Sequence, residues 1–197
     1  MTFPVNSSFD LDALLAILDS RYAPIAGAPI VTPVTPPAPS GTFWVYQNGV
    51  FAWAGDYSFG TGPINYADTV GKPGGKCISV PIVSPWGGFQ PFAAGGNFDL
   101  TPYKYLTYSL KPTLAGALFA TGFAAVNDVA DGTSVITAGV VSSKYGPVLQ
   151  AGVWSTYKIP LADFKLTNLS VLKFSIADGT GVKTNQFYVD NIGFTAA

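Results

Sequence analysis

The stretch NQFYVDNIGF, Asn185 to Phe194, reads as a β-strand. At a period of two, Phe187, Val189 and Asn191 share one face, and Tyr188, Asp190 and Ile192 the other. It is apolar and aromatic except for one Asp beside one Asn. That isolation makes Asp190 a structural anchor, because an acid/base pair needs a second group with a separately tuned pKa. Asp178, the nearest upstream acid, sits in an Asp-Gly turn and offers no such tuning.

Working back from this strand, short apolar runs recur along the chain: GTFWVYQNGVFAW (41–53), GKCISVPIV (75–83), YKYLTYSLKP (103–112), GALFATGFAAV (116–126), TSVITAGVV (133–141), VWSTYKIPL (153–161) and SVLKFSIAD (170–178). Turn residues separate them, at Asn48-Gly49, Pro73-Gly74-Gly75, Gly95-Gly96, Asp131-Gly132, Gly146-Pro147 and Asp178-Gly179. Many short strands with regular turns predict an all-β fold over residues 41–197, an antiparallel two-sheet jelly-roll sandwich.

The first forty residues differ in character. In SSFDLDALLAILDSRY, Leu11, Leu14, Leu15, Leu18 and Tyr22 recur at helical spacing, so residues 1–22 are expected to form a short α-helix with one apolar stripe. Ser7 precedes Asp10 by three residues, close to a capping arrangement, and Pro24 stops the helix. Such a helix is marginal alone in water, so the stripe is expected to anchor or oligomerise the protein. Residues 23–40 hold six prolines and no charge, and are expected to be an extended linker.

Composition excludes several functions. Ten basic and eleven acidic residues give a net charge of -1, without the Lys/Arg clusters that nucleic acids require. There is no His and no Glu, and Arg21 is the single Arg. A Ser-His-Asp triad and the usual zinc sites are therefore out of reach, and any glycosidase carboxylate pair would have to be two Asp. The chain is expected not to be an enzyme. Cys77 is the sole cysteine, so it forms no intrachain disulfide and is expected to be a small buried hydrophobe. The first residues lack a basic, then apolar, leader, and no apolar run approaches a membrane span, so neither a signal peptide nor membrane insertion is expected.

The order of elements resembles the jelly-roll carbohydrate-binding modules of the galactose-binding-like group. The residues that carry the likeness are FDLTPYKYLTYSLKP (98–112), Trp154, Tyr157, Ile159, Pro160, Leu161, Asp163 and Phe164, then Val171 to Ile176 and the closing FYVDNIGF (187–194). The resemblance implies a non-catalytic saccharide binder that requires no cofactor. It also implies that Asp190 helps hold a structural calcium, although Gln47 and Asn48 stand where an acidic partner is expected. The N-terminal helix and proline spacer are similar to anchor regions of bacteriophage fibre and decoration proteins, which are commonly trimeric. That likeness implies a virion-surface protein, assembled in the host cytoplasm as a trimer. Residues 1–40 would attach it to a capsid or tail protein, and the head would face surface polysaccharide. The alternative is a carbohydrate-binding module of a bacterial polysaccharide-acting system.

Saccharides present apolar C–H faces that stack on aromatic planes, and hydroxyls that hydrogen-bond to Asp, Asn or Gln. Trp53, Asp56 and Tyr57 in WAGDYSFG, with Trp86, Phe89 and Gln90 in SPWGGFQPF, supply that mix and are the candidate ligand contacts. Trp44 and Trp154 are expected to pack. Asp128 and Asp131 in VNDVADGTS are expected to lie in a solvated turn, since their spacing lacks the ligand density of an EF-hand loop.

Overall fold

The computed structural model describes residues 41–53, 55–93, 97–125, 129–139, 144–179, 181 and 186–196. The expected helix with Leu11, Leu14, Leu15, Leu18 and Tyr22, the expected linker 23–40, and Asp128 lie outside the described residues. Among the described residues the chain forms the strands β1 (Thr42–Gln47), β2 (Val50–Phe51), β3 (Gly55–Asp56), β4 (Asn65–Asp68), β5 (Cys77–Pro81), β6 (Gly88–Phe89), β7 (Pro91–Phe92), β8 (Phe98–Asp99), β9 (Tyr105–Pro112), β10 (Phe119–Ala125), β11 (Ala130–Ala138), β12 (Ser155–Pro160), β13 (Ser170–Asp178) and β14 (Gln186–Thr195). A 3-10 turn covers Leu161–Phe164.

Two antiparallel sheets result. One runs β12-β9-β14-β1-β2, with β5 also on β14 and β4 on β5; the other runs β11-β10-β13-β7-β3, with β6 and β8 also on β13. This is the all-β sandwich expected from the strand and turn pattern. Asn48 (φ 47°) and Gly49 (φ 90°) make the two-residue turn between β1 and β2, the left-handed pair that a tight hairpin requires.

The closing strand β14 departs from simple alternation. Against β9, Asp190 pairs with Ser109 but Gly193 pairs with Thr107, so β14 carries one extra residue. The bulge falls at Asn191, whose φ is 51°. It shifts the phase: Phe187, Val189, Ile192 and Phe194 all point into the core, and Asn191 does not share a face with Phe187. The bulge also marks where the opposite edge of β14 changes partner. Residues 186–189 pair with β5 and residues 192–195 pair with β1. Asp190 lies at that break.

The core is aromatic. Phe194 from one sheet meets Phe174 (ring centroids 5.8 Å) and Phe123 (6.5 Å) from the other, and Trp53 stacks on it at 6.1 Å. A polar clasp also crosses the sandwich. The fully buried Tyr108 hydroxyl of β9 bonds Thr121 Oγ1 (3.1 Å) and Thr137 Oγ1 of the opposite sheet. Burial pushes the Tyr108 phenol well above its usual pKa, so it stays a neutral donor.

Asp131 is not solvated as expected from the turn; it is 8% exposed. One carboxylate oxygen accepts the Thr167 N–H (3.0 Å) and hydroxyl, and the other accepts the Asn168 N–H (2.9 Å). Burial alone would raise its pKa, but these donors together hold it below the ordinary carboxylate value. A depressed folded-state pKa adds stability above the unfolded pKa, and that stability is lost as pH falls through the folded value. Asp131→Asn is therefore expected to cost about 1–2 kcal/mol at pH 7. Urea unfolding should show the gap from the parent protein narrowing at pH 3; a gap independent of pH would refute a charge-based role.

Candidate functional site

Alternation in the second sheet settles which side chains face outward. Phe119, Thr121 and Phe123 of β10, with Phe174 and Ile176 of β13, point inward. Ala120, Gly122 and Ala124 therefore face out, opposite Ala177, Ser175 and Lys173 in register. Gly88 extends the row beside Ala177, and Phe92 lies beside Lys173. The result is a row of small side chains that lie low, with Ala120, Ala124, Ser175 and Ala177 buried, edged by half-exposed Ile136 of β11.

Aromatic groups stand at one end of this floor. Tyr57, 46% exposed, stacks on Phe92 with ring centroids 4.4 Å apart and planes at 21°. Lys173 Nζ lies 5.2 Å from the centre of the Tyr57 ring, a cation–π contact. Tyr57 is held in place through its neighbours: its N–H donates to the Gln90 carbonyl (2.8 Å), and the Gln90 N–H donates to Ser58 Oγ (3.0 Å). Gly55 lies under Phe92, where an added Cβ would meet the ring at 3.0 Å. Trp86, half-buried and with φ 63°, lies two residues before Gly88, its ring edge against Gly181. Along β13, Lys173 beside Phe92 and Ala177 beside Gly88 are four steps apart, about 13 Å at strand rise.

The six residues expected from sequence thus divide. Tyr57 is exposed, Trp86 is half-buried against Gly181, and Gln90 lies beneath Tyr57, buried. Trp53 and Phe89 are core residues instead, 5% and 0% exposed, with no face open to a ligand. They point inward because the local strands place Phe89 opposite Ile176 and pack Trp53 on Phe98, Phe174 and Phe194. Asp56 also turns away from Tyr57. It accepts the Ser58 N–H (3.0 Å) and the Tyr66 hydroxyl. Burial first, then that hydrogen bond to Asp56, keeps the Tyr66 phenol protonated far above its usual range. Sequence reasoning missed Phe92, Lys173 and the small-residue floor. Period-two alternation from the buried Phe89 and Phe174 would have placed both side chains outward.

On the opposite sheet, Asp190 answers the question its isolation raised. Its Oδ1 accepts the Asn48 N–H (3.1 Å) of the β1–β2 turn, and its Oδ2 pairs with the Lys72 ammonium. The carboxylate thereby closes the break between β5 and β1. Calcium needs six to eight oxygens, and here an ammonium occupies the carboxylate. Among the described residues no three His, Cys, Asp or Glu side chains converge. The residues present do not fit the calcium site expected from the resemblance. Trp154 and Lys111 donate to the Gly71 carbonyl at 3.2 Å and 2.9 Å, so the segment before β5 is tied down across this sheet. Cys77 is buried beneath it; burial first, then the charge of Asp68, pushes its thiol up to about 11.

Known proteins share this fold. The model of carbohydrate binding domain 30 matches residues 54–196. The family 30 carbohydrate-binding module of a cellulosomal cellulase from Clostridium thermocellum superposes with a TM-score of 0.58 at 18% identity, covering 79% of this chain and 97% of that one. The family 11 module of another cellulosomal cellulase from the same organism gives 0.53 at 19%, covering 80% and 95%. A family 29 module complexed with cellulohexaose gives 0.53 at 10%, covering 79% and 91%. No curated protein matches. With the family model spanning most of its length, the chain belongs to the carbohydrate binding domain 30 family, a family of non-catalytic binding domains.

Proposed function

We propose that the chain binds a polysaccharide of the β-linked glucan or mannan type along the outer face of the β11-β10-β13-β7-β3 sheet. The observation that carries this reading is the exposed Tyr57 stacked on Phe92 beside a row of Ala, Gly and Ser, with the half-buried Trp86 two residues before Gly88. Small side chains leave room for a saccharide chain to lie flat. The rings receive its C–H faces. The ligand class follows relatives solved with cellulohexaose and mannohexaose. The virion-surface reading rests on residues 1–40, and no comparison lends it support; the module reading has the family behind it.

Titration calorimetry with cellulohexaose and mannohexaose tests this. Removing a ring that covers on the order of 60 Å² of apolar sugar surface costs about 1.5 kcal/mol, roughly tenfold in affinity. Tyr57→Ala and Trp86→Ala are each expected to weaken binding by that factor with little change in melting temperature. Full affinity in the double variant would place the ligand elsewhere.

A further inference from the structure

An apolar groove of about 430 Å³ opens where the 3-10 turn meets the ends of β9 and β12. Tyr105, Pro160, Leu161, Leu166 and Leu169 line it, with Lys104 and Lys165 at its rim and no carboxylate among its lining residues. Leu169 is 44% exposed.

The groove sits beside the point where the N-terminal chain joins the sandwich. Thr42 pairs with Thr195, Thr195 with Tyr105, and Tyr105 with Pro160, one row across four strands. Thr42 is thus about 10 Å from Tyr105 at ordinary strand spacing. Ahead of Thr42 the sequence carries a segment complementary to the groove. Leu11, Leu14, Leu15 and Leu18 supply an apolar stripe, and Asp10, Asp12 and Asp19 outnumber the lone Arg21. An apolar stripe flanked by acids fits an apolar groove rimmed by lysines.

We propose that this groove receives residues 7–22 of a second copy of the chain, each copy lending its segment to the other. The spacer decides between copies. Six prolines in residues 23–40 favour an extended path of about 56 Å at ~3.1 Å per residue. That is several times the distance from Thr42 to the groove at its own base, long enough for the spacer to carry the segment to a neighbouring copy.

Light scattering on size-fractionated full-length protein tests it. The parent chain is expected to be dimeric. Leu169→Asp, which damages the groove at an exposed position, and Leu14→Asp, which damages the segment, are each expected to weaken self-association by at least roughly tenfold. Mixing the two variants should restore a 1:1 heterodimer, since one retains an intact segment and the other an intact groove. Lys104→Glu on the groove rim should also weaken the dimer, more so at low salt. A monomeric parent, a Leu169→Asp chain of unchanged mass, or a mixture that fails to pair would each overturn the proposal. Saccharide affinity, which involves the other sheet, is unaffected by either result.

Discussion

Replacing Phe194 by Ala is expected to lower the unfolding free energy by about 3–5 kcal/mol, the cost of deleting a buried aromatic ring and leaving a cavity. Phe194 is fully buried, and its ring lies 5.3 Å from Phe98, 5.9 Å from Tyr103, 5.8 Å from Phe174 and 6.5 Å from Phe123. Phe123 and Phe174 belong to the opposite sheet, so the lost contacts are those that hold the two layers together. Because domains of this size are stable by only ~5–15 kcal/mol, the variant should unfold at markedly lower urea concentration. Phe194→Leu, which keeps most of the volume, should recover more than half of the loss. A loss below ~1.5 kcal/mol for the Ala variant would mean that the layers are held elsewhere.

The second large effect is expected at Asp190. Asp190→Ala removes the acceptor for the Asn48 N–H and the partner of Lys72 at once. Deleting one member of a fully buried ion pair costs about 3–5 kcal/mol. Lys72 keeps a side-chain exposure of 32% and can turn toward water, so about 2–3 kcal/mol is expected here. Asp190→Asn retains an acceptor for the Asn48 N–H and should lose about half as much. Hydrogen exchange should locate the damage: amides of the β1–β2 turn and the start of β5 should lose protection before those of β9. Uniform loss across the domain would show that Asp190 acts on global stability and not on the junction. Added Ca²⁺ should leave the melting temperature of the parent protein unchanged.

The long strands were legible in the sequence because their alternation is long enough to read. YLTYSLKP became β9 and SVLKFSIAD became β13, both within residues named from pattern alone. The strands β3, β6, β7 and β8 were not legible. Each has two residues, several of them Gly or Pro, and exists only because β13 or β7 offers a partner edge. Since β3, β6 and β7 carry part of the outer face, the candidate site was only half readable. Tyr57 and Trp86 were named by residue type, and Tyr57 is exposed. Trp53 and Phe89 were misassigned because aromatic content beside glycine reads the same for a buried ring as for an exposed one. The bulge at Asn191 was hidden too, since an inserted residue leaves no mark on composition, yet it explains why an acid and an amide interrupt an apolar strand.

The register of Thr42 against Thr195 has an architectural consequence. The two ends of the sandwich leave side by side from neighbouring strands, so a host polypeptide could enter and exit through one narrow stalk. Spliced into a loop of another protein, the globe would hang like a bead without prying that loop apart. The sheet carrying Tyr57 and Trp86 is the one that does not hold the stalk, and it would stay clear of the host.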